Sequence, residues 1–142
     1  TVTAPIGIGM VRIGNFINGE LFGRTTEMPW GMIFPGGGPL PRHPSQLYEA
    51  FFEGAVLFFL LWPLRNKPWK QKSWPHGSLF ALLLIFYGIF RYGIEFFREP
   101  DAHLGFVFLN MTMGQVLCAA MVTAGILLLF FLRKLEPENN DN

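Results

Sequence analysis

Hydrophobic residues in this chain gather into long runs, at 46–64, 77–97 and 111–132, separated by short polar stretches. Each run is near the roughly 20 residues that a helix needs to cross about 30 Å of hydrocarbon. Residues 1–10 have the same character and predict the last turns of another spanning helix, running directly into a polar segment. None of the runs shows the two-residue alternation of a barrel strand, and lipid admits only helices and closed barrels. The expected fold class is therefore all-α: a polytopic transmembrane helix bundle in a single membrane domain, with an irregular polar loop on the outer side and 133–142 as a polar cytoplasmic tail.

The connections carry the orientation. Arg65, Lys67, Lys70 and Lys72 crowd one link, and Arg133 and Lys134 close the last run. Basic residues favour the cytoplasmic side, which puts loops 11–45 and 98–110 together on the outer face. Trp62, Trp69 and Trp74 suit the inner interface. Within loop 25–45, Pro29, Pro35, Gly36, Gly37, Gly38, Pro39, Pro41 and Pro44 forbid a continuous helix and suggest an ordered or lid-like cover.

Composition agrees with a membrane protein: 51% of the 142 residues are hydrophobic and only 15% are charged, against about 25% charge in soluble chains. A single cysteine, Cys118, excludes an internal disulfide and a multi-thiolate metal site, and reads as buried apolar filler. His43, His76 and His103 show no ligand spacing, so no metal and no cofactor is expected. The basic loop 65–72 is short and explained by topology, which leaves nothing to suggest nucleic-acid binding. The opening residues lack a Met, a basic region and a cleavage site, and read as a start in mid-protein rather than a signal peptide.

Against this apolar background, three polar constellations stand out. The first is 12–24, which packs Arg12, Gly14, Asn15, Asn18, Gly19, Glu20, Gly23 and Arg24 into a membrane edge. An ordinary hairpin turn at Asn18-Gly19 would explain only that dipeptide. The second is Tyr87, Arg91, Glu95 and Arg98, spaced by four, four and three. At 100° per residue they form one stripe about 80° wide, which lipid would reject. Arg91 with Glu95 reads as a structural ion pair. Equally, one carboxylate cannot neutralise Arg91, Arg98 and Arg12, which points to an anion from outside; guanidinium forks suit phosphate oxygens. The third is 40–49, where His43 and Glu49 could do acid–base work, Ser45 could cap a helix starting near Gln46, and Glu53 could share the inward face of Glu49.

Residues 12–24 closely resemble the signature of bacterial prolipoprotein diacylglyceryl transferases. Two further blocks, 40–49 and 87–101, resemble the same family in the same order, as does Met113-Gly114-Gln115 in the last run. The resemblance implies an enzyme of the bacterial inner membrane that transfers the diacylglyceryl group of phosphatidylglycerol to the lipobox cysteine of a prolipoprotein and releases glycerol 1-phosphate. It implies catalytic roles for Arg12, Arg91, Asn15 and Gly23. Binding roles fall to Arg12, Asn15, Glu20, Tyr87, Arg91, Glu95, Arg98 and His43, with the arginines on the lipid phosphate.

The family also relies on an upstream His-Gly-Gly motif and tyrosine, which this sequence does not contain; His43 and His103 do not occupy that motif. Competing classes are a transporter or channel subunit, disfavoured because 111–132 has no polar residues to continue a path, and a non-catalytic phospholipid-binding scaffold.

Overall fold

The computed structural model describes residues 1–66, 68–69, 72–73, 75–99, 106–108 and 111–135. The described chain is mainly helical. In order it forms α1 (Ala4–Ile17), α2 (Ser45–Glu49), a π-helical stretch (Ala50–Val56), α3 (Leu57–Leu61), a 3₁₀ turn (Pro63–Asn66), α4 (Ser78–Glu95) and α5 (Met113–Leu135). Two antiparallel ribbons lie between helices: β1 (Pro68–Trp69) pairs with β2 (Lys72–Ser73), and β3 (Phe106–Phe108) with β4 (Met111–Thr112). Helices α4 and α5 are long and apolar enough to cross a membrane, while α1 is a shorter apolar helix.

The first helix does not end near residue 10 but carries on to Ile17, so Arg12 and Asn15 stand on a helix rather than in a loop. Its stop signal is Asn18-Gly19. Gly19 takes φ +68°, its N–H donates to the Phe16 carbonyl at 3.0 Å, and Glu20 N–H donates to the Asn15 carbonyl at 3.0 Å. This is the paired hydrogen-bond pattern of a glycine-terminated helix, in place of the hairpin turn the dipeptide suggested. Leu21 follows at φ +56°, and its carbonyl accepts the Ser45 hydroxyl at 3.2 Å. Ser45 therefore does not cap α2; it ties the start of that helix to the chain leaving α1.

From Ser45 to Leu61 the helical segments follow one another without a break. Glu49, Glu53, Leu57 and Leu61 recur every fourth residue and are all completely buried. One line of the rod thus changes from carboxylates to leucines halfway down. Its lower part joins Leu82 in the apolar core, packed by Val2, Leu64, Leu83, Phe86, Tyr87 and Phe90. Pro63 stops the rod, since a proline cannot donate the next helical bond. Of the expected interfacial residues, Trp62 stacks under the Arg65 guanidinium at 3.5 Å. The side chains of Lys67, Trp69, Lys70, Lys72 and Trp74 lie outside the described residues, as do His103 and the tail 136–142.

Small residues let the helices approach closely. A Cβ on Gly54 would stand 2.8 Å from the Cα of Gly9, so α1 meets the π-helical stretch backbone to backbone. On the other side, a Cβ on Gly88 would meet Val122 Cγ2 at 2.8 Å, and one on Gly125 would meet Ile85 Cγ1 at 2.7 Å. Gly54→Val is expected to push α1 off the rod and destabilise the protein by about 3 kcal/mol, at the upper end for overpacking because backbone must move. The check is the thermal unfolding midpoint of the detergent-solubilised protein.

Candidate functional site

The end of α1, the start of α2 and the end of α4 meet at one end of the helix array, and three arginines and three glutamates converge there. Glu49 is the hub. Its Oε2 faces Arg12 Nε at 3.1 Å, and its Oε1 accepts from Arg91 Nη1 at 2.5 Å and from Arg98 Nη1 at 3.5 Å. Glu53 stands one turn on, 3.6 Å from Arg12 Nε and 3.4 Å from Arg91 Nη1. Glu95 closes the ring, 3.8 Å from Arg91 Nη2.

The excess of guanidiniums over carboxyl groups expected from the sequence is therefore absent: Arg12, Arg91 and Arg98 stand against Glu49, Glu53 and Glu95, three groups against three. An outside anion is not needed for neutrality. What the geometry offers instead is a set of guanidiniums already held in place, each with 15–17% of its side chain still accessible. Arg12 engages both carboxylates through Nε, which leaves the terminal nitrogens of its fork outside these ion pairs. Tyr87 adds its phenol beside Arg12, Glu53 and Arg91.

Glu95 is fixed from α5. The Thr112 hydroxyl donates to Glu95 Oε1 at 3.1 Å. The Thr112 hydroxyl oxygen in turn accepts from Gln115 N–H at 3.2 Å, while Gln115 Oε1 accepts from Thr112 N–H at 3.1 Å. This reciprocal capping box opens α5 and puts polar groups where 111–132 was expected to have none. Its signal, Thr112-Met113-Gly114-Gln115, is legible as S/T-x-x-E/Q before an apolar run. Beyond it, the Thr123 hydroxyl turns back to the Ala119 carbonyl at 2.9 Å, and no further polar side chain follows on α5 until Arg133 and Lys134.

A small irregular sheet roofs this end. Gly23 bridges Arg98, and Thr25 and Met32 both bridge Arg42. Gly23 N–H donates to the His43 carbonyl, and Arg24 N–H to the Phe97 carbonyl. A Cβ on Gly23 would stand 2.9 Å from the His43 carbonyl oxygen and closer still to that of Phe97, so any side chain would wedge the strands apart. Arg42, which the sequence did not single out, stitches the loop: Nε donates to Gly37 O at 2.8 Å, and Nη1 to Gly23 O at 3.2 Å and Glu99 Oε2 at 2.6 Å. Arg24 donates to the Arg98 carbonyl at 2.6 Å.

The remaining expected residues sit around this core. Asn15 is half-buried beside it on α1, and its carboxamide has no partner among the described residues. Glu20 is exposed; its carboxylate accepts from Asn18 Nδ2 at 3.3 Å and joins no arginine among the described residues. The structure thus brings together Arg12, Tyr87, Arg91, Glu95 and Arg98, keeps Asn15, Gly23 and His43 at the edge, and leaves the Glu20 side chain outside. Glu49 and Glu53, weighed only as inward-facing carboxylates, turn out to be its centre.

An array of apolar helices closed at one end by partly buried, paired arginines fits a membrane protein with a polar site at one end of its helices. The comparisons make the class specific. A family model described as prolipoprotein diacylglyceryl transferase matches residues 1–131, and the chain belongs to this family. Among similar curated proteins are the phosphatidylglycerol–prolipoprotein diacylglyceryl transferases of Desulfotalea psychrophila, 59% identical over 91% of this chain and 48% of that protein, and of Chlorobaculum tepidum, 57% identical over 96% and 46%. That of Photobacterium profundum is 53% identical over 94% and 48%. The chain spans about half the length of these relatives.

Breaking a buried pair on one side leaves charge uncompensated and costs about 3–5 kcal/mol. Glu49→Gln keeps the shape but removes the charge that faces all three arginines. It is expected to lower stability by that order, more than Glu95→Gln, whose carboxylate meets one arginine. Chemical denaturation of the two variants checks the ranking.

Proposed function

We propose that this chain builds the donor-lipid half of a phosphatidylglycerol–prolipoprotein diacylglyceryl transferase. The observation that carries this reading is the trio of pre-positioned guanidiniums, Arg12, Arg91 and Arg98, on two buried glutamates at one end of the helix array. In the reaction the lipobox cysteine loses its proton and the thiolate attacks the glycerol carbon that bears the phosphate. An S–C bond forms as the C–O bond breaks, and the bonding pair leaves with the oxygen of glycerol 1-phosphate. A phosphodiester thereby becomes a monoester and gains negative charge.

Fixed cations aimed at developing charge are among the largest sources of rate enhancement, and they need no reorganisation when already held. The glutamates do that holding. Arg12 and Arg91 are assigned to the phosphate, with Arg98 and Tyr87 beside them and Asn15 as a neutral donor. Gly23 serves by the close approach of three backbone segments rather than by touching substrate. Glu20 acts through its main chain, whose carbonyl accepts from Gln46 Nε2 at 2.6 Å. The substrates are membrane phosphatidylglycerol and a prolipoprotein lipobox peptide. Arg65 at the far end of the rod and Arg133 and Lys134 at the far end of α5 support an arrangement with the site toward the outer face of the inner membrane and the C-terminus cytoplasmic.

A transporter reading is weaker. A polar path would have to continue past Glu53, where the buried line becomes Leu57 and Leu61, or past Gln115 on α5.

Two outcomes test the assignment. Arg12→Lys and Arg91→Lys, introduced into the gene that encodes this chain, are each expected to slow transfer from phosphatidylglycerol to a lipobox peptide at least a hundredfold, because lysine keeps charge and loses the fork. Retained activity would argue against bidentate phosphate binding. Expressed alone, the 142 residues are expected to yield no thioether, since the His-Gly-Gly motif that the family relies on does not occur in them. Mass spectrometry of the peptide reads this, and robust turnover would overturn it.

A further inference from the structure

His43 lies at the edge of the arginine cluster, in a setting that the phosphate chemistry leaves unexplained. Its backbone is pinned: its N–H donates to the Arg24 carbonyl at 2.9 Å, and its carbonyl accepts from Gly23 N–H at 2.9 Å and Ser45 N–H at 2.8 Å. Its ring is clamped edge-on between Phe97, at a centroid distance of 5.3 Å, and Tyr48, at 6.0 Å; Tyr48 and Phe97 are themselves 5.8 Å apart. These two neighbours directly precede Glu49 and Arg98 in the chain, so the aromatic clamp and the ion-pair cluster are carried by the same two segments.

A hydrogen-bond chain runs into this clamp from loop 25–45. Trp30 Nε1 donates to the Tyr48 hydroxyl oxygen at 2.8 Å, and that hydroxyl lies 3.2 Å from His43 Nδ1. The direction of the chain follows from its first member. An indole N–H only donates, so the Tyr48 oxygen is the acceptor there. The phenol then has one proton to place, and its one described partner is Nδ1. If Nδ1 carried a proton instead, Tyr48 would have to accept from both sides and its own proton would be left without a partner. The arrangement that pairs both the phenol proton and Nδ1 is Trp30 to Tyr48 to His43, with Nδ1 as acceptor. The imidazole proton then sits on Nε2, which has no partner among the described residues.

We propose that Trp30 and Tyr48 are positioning residues that hold His43 as the neutral tautomer protonated on Nε2, so that His43 offers a hydrogen bond to an oxygen of the bound phospholipid rather than taking the proton of the incoming thiol. The inference rests on the donor-lipid reading above and adds a role within it. Both lone-pair positions needed for a base are accounted for: Nδ1 is occupied by Tyr48, and Nε2 already bears hydrogen. The unspent Nε2–H is a donor at the edge of the site, which can select an oxygen acceptor without adding charge to the cluster.

The test uses protein purified from the gene that encodes this chain, labelled with ¹⁵N-histidine, with the His43 signal assigned by its loss in His43→Gln. Long-range proton–nitrogen correlation spectra at neutral pH are expected to show His43 with its proton on Nε2 alone. In Tyr48→Phe the two tautomers should mix, and transfer to a lipobox peptide should slow about tenfold, the lower range for removing an orienting partner of a functional histidine. Trp30→Phe should change both in the same direction by less. A His43 protonated on Nδ1 or on both nitrogens would overturn the proposal, and so would an unchanged tautomer in Tyr48→Phe or a mixed tautomer with an unchanged rate. If the unmodified protein transfers nothing from phosphatidylglycerol, the functional reading fails. The tautomer spectra then still decide whether Trp30 and Tyr48 set the state of His43.

Discussion

Everything at the polar end of this protein depends on a carboxylate that water cannot reach. Glu49 is fully buried and faces guanidiniums from α1, from α4 and from the turn after α4. Removing an ionised carboxylate from water is among the costliest acts in folding, and it is tolerated only where opposite charges converge on it. The convergence needs close helices. The backbone contact of Gly9 with Gly54 brings Arg12 within reach of the rod, and the capping box on α5 holds Glu95 beneath Arg91. Packing and electrostatics are thus one constraint here: spread the helices and the carboxylates lose their partners; remove the carboxylates and the arginines repel one another.

Much of this was legible in the chain. Long apolar runs gave the helices, and the four-residue spacing of Tyr87, Arg91 and Glu95 placed them on one face of α4. Arg98, expected on the same helical stripe, lies past the helix end in the bridge to Gly23 and reaches Glu49 from there. What spacing cannot supply is the partner across a gap. Glu49 and Glu53 lie about forty residues from Arg91 in sequence, and only the folded chain brings them together, so counting carboxylates along α4 alone suggested a surplus of positive charge. Asn18-Gly19 misled for a related reason: the dipeptide specifies a left-handed residue, and helix ends and hairpins both need one. Arg42 escaped notice because its partners are mostly carbonyls, which every residue possesses.

The loop between α1 and α2 shows how an irregular segment acquires one shape. Its prolines and glycines forbid regular pairing over any length, yet isolated bridges join Thr25 and Met32 to Arg42 within it, and Gly23 to Arg98 just past the end of α4. Arg42 stacks on Phe22 at 5.0 Å while its donors reach three oxygen partners. One side chain thereby does for the loop what a run of backbone hydrogen bonds does for a helix.

The buried line of Glu49, Glu53, Leu57 and Leu61 gives the polar end a floor. Charge occupies its upper half and hydrocarbon its lower half, with no side chain of intermediate character between them. A polar group among the arginines finds no continuation downward along this line, because below Glu53 the buried residues are Leu57 and Leu61. Such a floor needs no gate: a single change of residue type along one helix closes the polar end on that side.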